Sequence, residues 1–171
     1  MPSSEWVNEN DEVCFDGVSL CDEHIVEQIL CNYQSLRTKS EGKFLGDTWY
    51  LMEDFDRIYE QAMAKYPMYR RIVEYKMDLR SNSDIQARIH EEFGFSHSIE
   101  YLSSLWRNKI PRLIAQQAQE NYLLWYHTNM VKSKWKRCTR CGQIKLAHNR
   151  FFSINKTSKD GFYSICKVCR N

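Results

Sequence analysis

The chain has 171 residues, 43% hydrophobic and 13% aromatic, which is enough apolar material for one packed domain or two small ones and argues against wholesale disorder. No apolar run approaches the ~20 residues of a membrane span, and the opening Met-Pro-Ser-Ser-Glu-Trp has neither the basic nor the apolar region of a signal peptide. The net charge of +2 hides a polarity, because residues 1–60 hold 14 Asp/Glu against 4 Lys/Arg and residues 61–171 hold 8 against 20. An acidic head on a basic, polyanion-binding body is the expectation.

In chain order, residues 1–20 are acidic and weakly patterned, with Val13, Phe15 and Val18 as a possible short strand or hairpin around Asp16-Gly17. Residues 22–36 are expected to form a helix capped by Asp22, with Ile25, Val26, Ile29, Leu30 and Tyr33 at helical spacing. Residues 38–46 have loop composition. A helix from Asp47 or Thr48 to about Lys65 presents Leu51, Met52, Phe55, Ile58, Tyr59 and Met63, and Pro67 opens the next, running to about Leu79. Ser83 with Gln86 has capping-box form, followed by Ile85, Ile89 and Phe93 and a stop at Gly94. Ser98 then caps a helix carrying Ile99, Leu102 and Leu105, which is expected to break or kink near Lys109-Ile110 because Pro111 has no N–H. A last helix runs from about Pro111 to Thr128, and its Tyr122-Leu-Leu-Trp125-Tyr126-His127 run is assigned to the core rather than to a base-stacking platform.

The C-terminus carries the most specific pattern: Cys138-x-x-Cys141-Gly142 and then Cys166-x-x-Cys169, with 24 residues between Cys141 and Cys166. Two close pairs at this separation suit one structural Zn²⁺ held tetrahedrally by four thiolates, with no open position for a catalytic water. A module this small cannot bury an adequate core alone, so metal belongs to its folding energy. The remaining candidates, Cys14, Cys21, His24 and Cys31, fit no zinc spacing and are expected to be buried thiols with a nearby His.

Residues 134–171 resemble the zinc module of phage-encoded endonuclease VII-like and HNH-type proteins. The features carrying the resemblance are Cys138-x-x-Cys141-Gly142, Lys145, Phe151-Phe152, Ser158-Lys159-Asp160-Gly161-Phe162-Tyr163 and Cys166-Lys167-x-Cys169. The resemblance implies zinc ligation and a nucleic-acid or phage context. In those nucleases a His-Asn catalytic core follows the module; here the sequence stops at Asn171, and His148-Asn149 is taken as loop, so cleavage is not expected.

Residues 83–109 have helix-turn-helix grammar, with Ser98, Glu100, Tyr101, Ser103, Ser104, Arg107, Asn108 and Lys109 as candidates for a DNA groove. The match departs from the motif at His90, where a small residue is usual, and in the register of Ile99 and Leu102; a plain helical hairpin is the alternative. From Val131 onward there are 11 Lys/Arg and one acidic residue, and Lys134, Trp135, Lys136, Arg137 and Arg140 are expected to contact nucleic acid. Trp135 has an alternative as a connector side chain packed on the helical domain.

The expected architecture is therefore mainly α. It comprises an acidic segment (1–46), a multi-helix, helix-turn-helix-like domain (47–130) and a small four-cysteine zinc ribbon (131–171). The expected function is non-enzymatic binding of double-stranded DNA, as a phage- or prophage-type transcriptional regulator in the cytoplasm. The alternatives are an adaptor that docks on a transcription, replication or packaging complex, for which the acidic segment is a possible protein-binding site, and, third, a nuclease or nuclease accessory.

Overall fold

The computed structural model describes residues 6–7, 13–14, 18–41 and 46–170, the first two pairs by their backbone alone. The chain divides into two compact units, Met1–Gln119 and Glu120–Asn171.

In the first unit, β1 (Trp6–Val7) pairs antiparallel with β2 (Val13–Cys14). Phe15, Asp16 and Gly17 of the expected hairpin lie outside the described residues. The span expected to form one helix over 22–36 is two, α1 (Glu23–Cys31) and α2 (Tyr33–Glu41). Asp22 caps α1 as expected, accepting from the His24 N–H. The division falls at Asn32, whose side-chain amide donates to the Gln28 carbonyl at 2.9 Å, competing with the helix for a backbone acceptor. α2 also continues into the stretch assigned to loop, through Glu41.

α3 (Asp47–Met63) and α4 (Pro67–Met77) follow the apolar spacing closely. α3 buries Met52, Phe55, Ile58, Tyr59 and Met63, and α4 buries Ile72 and Val73. Val26, Ile29 and Leu30 of α1 enter the same core, so the N-terminal helix is part of this body. Each fully buried large aliphatic here contributes about 1.5–3 kcal/mol of transfer free energy.

α5 (Asn82–Phe93) is capped two residues earlier than expected: Ser81, not Ser83, accepts from the Asp84 N–H at 3.2 Å. Gly94 ends it at φ +68°, a left-handed conformation that glycine adopts without the steric cost of a Cβ. Phe93, expected on the buried side, is exposed, and Phe95 is buried instead. The connection 94–98 is held to α5, with the Gln86 amide donating to the His97 carbonyl at 2.6 Å. Ser98 caps α6 (Ile99–Ser104) by accepting from Tyr101 N–H.

Of the break or kink expected near Lys109-Ile110, the break does not occur. Leu105–Lys109 form a π turn in which Ile110 N–H donates to the Leu105 carbonyl, and α7 (Ile110–Asn129) continues directly. Widening one turn accommodates the proline, which is itself buried, without ending the helix. α6, the π turn and α7 are thus one continuous helical segment. The helix α6 that would read DNA in a helix-turn-helix is only its beginning, and the connection before it exceeds that motif's usual 3–4 residues.

The second unit holds the end of α7 and two antiparallel hairpins. β3 (Trp135–Arg137) pairs with β4 (Ile144–Leu146), and β5 (Phe152–Ile154) pairs with β6 (Phe162–Cys166) through an irregular register. A single turn, α8 (Lys167–Arg170), follows. Its core is small: Cys138, Phe152 and Cys166 are buried with Phe151, Phe162, Ile165 and Cys169 against them, and Leu146 of β4 is buried as well.

The aromatic run of α7 is the largest departure from expectation. Tyr122, Trp125 and Tyr126 are 59%, 53% and 41% exposed rather than core. Glu120, Leu123, Leu124 and His127, at i, i+3, i+4 and i+7, are the half-buried face. Among the described residues no helix is long and apolar enough to cross a membrane.

Candidate metal centre and basic surface

Cys138 and Cys141 flank a turn closed by the Gly142 N–H on the Cys138 carbonyl at 2.9 Å, with Gly142 at φ +71°. Cys166 ends β6 and Cys169 lies on α8, one turn on. Lys167 N–H donates to the Phe151 carbonyl at 2.8 Å and fixes the second pair's turn to the loop before β5.

The four sulfurs lie within 4.8 Å of one another. Ligands about 2.3 Å from a tetrahedral zinc stand about 3.8 Å apart, and Cys141 Sγ to Cys166 Sγ is 4.0 Å. That is far beyond a disulfide bond, and all four thiols are free. The Cys166 N–H donates to Cys138 Sγ at 3.3 Å, the kind of backbone support that orients a thiolate ligand.

The electrostatics fit a cation. Hydrogen bonds to its sulfur from the backbone at Cys141 and then Cys166 lower the Cys138 thiol to about 6. The side chains of Cys141 and Cys166 push the Cys169 thiol up to about 12. Four thiols this close cannot all ionise unaided, and a divalent ion removes that repulsion. The cluster can therefore hold one metal ion, four thiolates being a typical zinc set.

The expected nucleic-acid residues fall into two groups. Lys134 and Trp135 are exposed on the connector and β3, and Arg137 is exposed while donating to the Gly142 carbonyl at 3.3 Å. Arg140 donates to the Cys169 carbonyl and so ties one cysteine turn to the other. Lys136 is engaged internally. Its side chain is 16% exposed, pairs with Asp160 at 2.6 Å, donates to the Phe162 carbonyl at 2.9 Å and lies over the Phe152 ring. It joins the two hairpins and offsets the unfavourable placement of Lys145 directly across the strand pair. Asp160 is held below the usual carboxylate range, chiefly by the Lys136 hydrogen bond.

In the first unit, the expected groove residues are largely occupied with one another. Ser98 caps α6, Tyr101 packs on Phe95 and His97, and Ser103 accepts from Asn82 at 3.1 Å. Asn108 donates to Ser104 at 3.4 Å. Glu100, Arg107 and Lys109 are exposed, the last two with Asn108 on the π turn. Of the cysteines set aside, Cys31 is exposed and Cys21 half-buried, against the expectation of buried thiols, and His24 is also exposed. The side chain of Cys14 lies outside the described residues.

Sequence reasoning missed the contacts that tie the end of α7 to the loop between β4 and β5. His127 and His148 rings lie 4.9 Å apart, His127 Nδ1 is 2.8 Å from Ser133 Oγ, and Glu120 pairs with Arg150 at 3.7 Å. His148 Nδ1 accepts the Arg150 N–H, and burial followed by His127 lowers its basicity. Isolated histidines carry no spacing signal by which to foresee this.

Comparison of the chain with protein-family models, curated proteins and solved structures finds no match. What stands of the resemblance to endonuclease VII-like proteins is the four-cysteine cluster.

Proposed function

We propose that this is a non-enzymatic DNA-binding protein in which a structural zinc ion holds the second unit as a basic clamp on the phosphate backbone. The observation carrying the reading is the charge of that unit. From Val131 onward, 11 basic residues face one acid, and that acid, Asp160, is spent on Lys136. Four thiolates around a divalent ion subtract about 2 and leave a large surplus on a small surface. Among the described residues, Lys132, Lys134, Lys145, Lys156, Lys159 and Lys167 form no ion pair; the charged pairs of the first unit are numerous by contrast. Counterion release by such lysines favours binding with little dependence on sequence. The Ser98–Lys109 segment, with Arg107 and Lys109 free to reach phosphate, is a secondary contact in this reading, and transcriptional regulation and a phage setting would follow only from a defined target site.

Binding of the zinc-loaded chain to duplex DNA is measured against salt. The slope of log K against log salt is expected near −0.9 per phosphate neutralised, and Lys134→Gln with Lys156→Gln flattens it by about 2. Binding that does not change with salt would sink the reading. A protein-docking adaptor is the second reading, favoured by the exposed Ile144, Ile154 and Val168 on the same unit. It calls for a protein partner that binds undiminished after nuclease treatment.

A further inference from the structure

One helix face remains unaccounted for. The C-terminal half of α7 half-buries Glu120, Leu123, Leu124 and His127, of which Glu120 and His127 meet Arg150 and His148 in the loop between β4 and β5, and its other side carries Tyr122, Trp125 and Tyr126, all exposed. Tyr122 lies 6.1 Å from Trp125 at an interplanar angle of 28° and 6.2 Å from Tyr126 at 25°. Three large rings at i, i+3 and i+4, held nearly parallel and open to solvent, are an unusual use of aromatic surface.

The charge around this face selects its occupant. The second unit has two acidic residues, Glu120 and Asp160, and both are ion-paired, with Arg150 and Lys136. Among the described residues, no acidic side chain of that unit is left unpaired to oppose a polyanion. α7 ends at Asn129, where the Tyr126 carbonyl accepts from both Met130 and Val131 N–H, and Lys132 and Lys134 follow in the connector, six and eight residues after the last ring. Flat rings followed by unpaired cations match stacked bases joined by phosphates. In a duplex both faces of each base are covered by its neighbours, whereas an unpaired strand offers open faces to such rings.

We propose that Tyr122, Trp125 and Tyr126 form a base-stacking platform for single-stranded DNA, with the connector lysines holding its phosphates. The inference rests on the reading of the protein as DNA-binding and specifies which form of DNA this face takes. Stacking sets the preference for unpaired strands, and the lysines supply an attraction shared by both forms.

The test uses the full, zinc-loaded chain and two labelled probes, an oligothymidylate of about 12 nucleotides and a hairpin duplex of the same strand length, followed by anisotropy. Trp125→Leu with Tyr126→Leu is expected to weaken oligothymidylate binding about 10-fold or more and duplex binding less than about twofold, while Trp125→Phe holds within about twofold of wild type. Both positions are exposed, and an unchanged circular dichroism spectrum and zinc content confirm that the variants fold. Wild-type binding that is unaffected by the double substitution, or weakened equally on both probes, overturns the platform while leaving the clamp. Oligouridylate bound about tenfold tighter than oligothymidylate overturns DNA as the occupant. A self-associated chain that the substitutions make monomeric, with oligothymidylate binding unchanged, assigns the face to a second copy instead. If the wild-type chain binds neither probe at low salt, the DNA-binding reading falls and the platform with it.

Discussion

The two units achieve a fold by different means. Residues of α1 and α3–α7 bury a continuous set of large side chains, from Val26 to Ala118, in one apolar cluster. Among the described residues the second unit buries Cys138, Leu146, Phe152 and Cys166, two of which are metal-ligand candidates. Apolar burial at about 25 cal/mol per Å² is sufficient for the first and insufficient for the second. The difference also orders their charges. The first unit pairs its arginines with nearby carboxylates, as Arg71 does with Glu74 and Glu92 and Arg88 with Asp84. The second leaves most of its lysines without partners. If the four cysteines hold a metal, as proposed, the scaffold needs little surface for its own cohesion and can present the rest to a ligand.

The sharpest way to break this comparison is to remove the metal. Structural zinc in small domains is worth about 10–16 kcal/mol of apparent binding energy. Cys166→Ser is therefore expected to unfold residues 131–170 while the helices of the first unit persist, and limited proteolysis checks it by releasing a stable fragment ending near residue 130. Acid should act in the same order. Protons compete with metal for thiolates, and His148, whose basicity is depressed in the fold, contributes stability above its unfolded value that is lost as pH falls. Asp84 and Glu92, held low chiefly by Arg80 and by Tyr75 respectively, lose their contribution to the first unit as pH falls through their depressed values. Zinc release on acidification should thus precede loss of helical signal.

Phe55→Ala probes the opposite side. Phe55 is fully buried, and its truncation should cost the first unit about 3–5 kcal/mol, read as a lower denaturation midpoint with zinc stoichiometry unchanged. Lys136→Ala should destabilise the second unit by about 1–2 kcal/mol, the scale of a hydrogen bond to a charged group. It should leave the salt slope of DNA binding unaltered, because Lys136 is spent on Asp160 and Phe162. The smallest effect is Ser81→Ala, about 1 kcal/mol from the lost α5 cap; Ser83→Ala, measured beside it in chemical denaturation, should cost less.

How far these features were legible in the sequence follows from the range of the interactions involved. α3 and α4 were legible because apolar spacing and Pro67 are local signals, and Gly94 and Ser98 because caps are written in adjacent residues. The four cysteines were legible because ligand spacing is nearly a geometric measurement. The single helix over 22–36, the cap at Ser83 and the break at Pro111 departed from the structure for a common reason: each place offered two local solutions. Asn32 ends one helix by bonding backward, Ser81 and Ser83 compete for one cap, and Pro111 is tolerated by a π turn as well as by a break. The exposure of Tyr122, Trp125 and Tyr126 was hidden because composition marks aromatic runs as core, and the opposite face of the end of α7 is engaged by Arg150 and His148, more than 20 residues away in the chain.

The dependence of the second unit on metal is tested most directly by titrating a strong zinc chelator into the zinc-loaded chain and following its amide ¹H–¹⁵N spectrum. The account requires one equivalent of zinc to leave, with the amides of residues 131–170 collapsing to unfolded positions while those of residues 47–119 hold theirs. A metal-free chain whose residues 131–170 keep their dispersed, folded amide positions would contradict it.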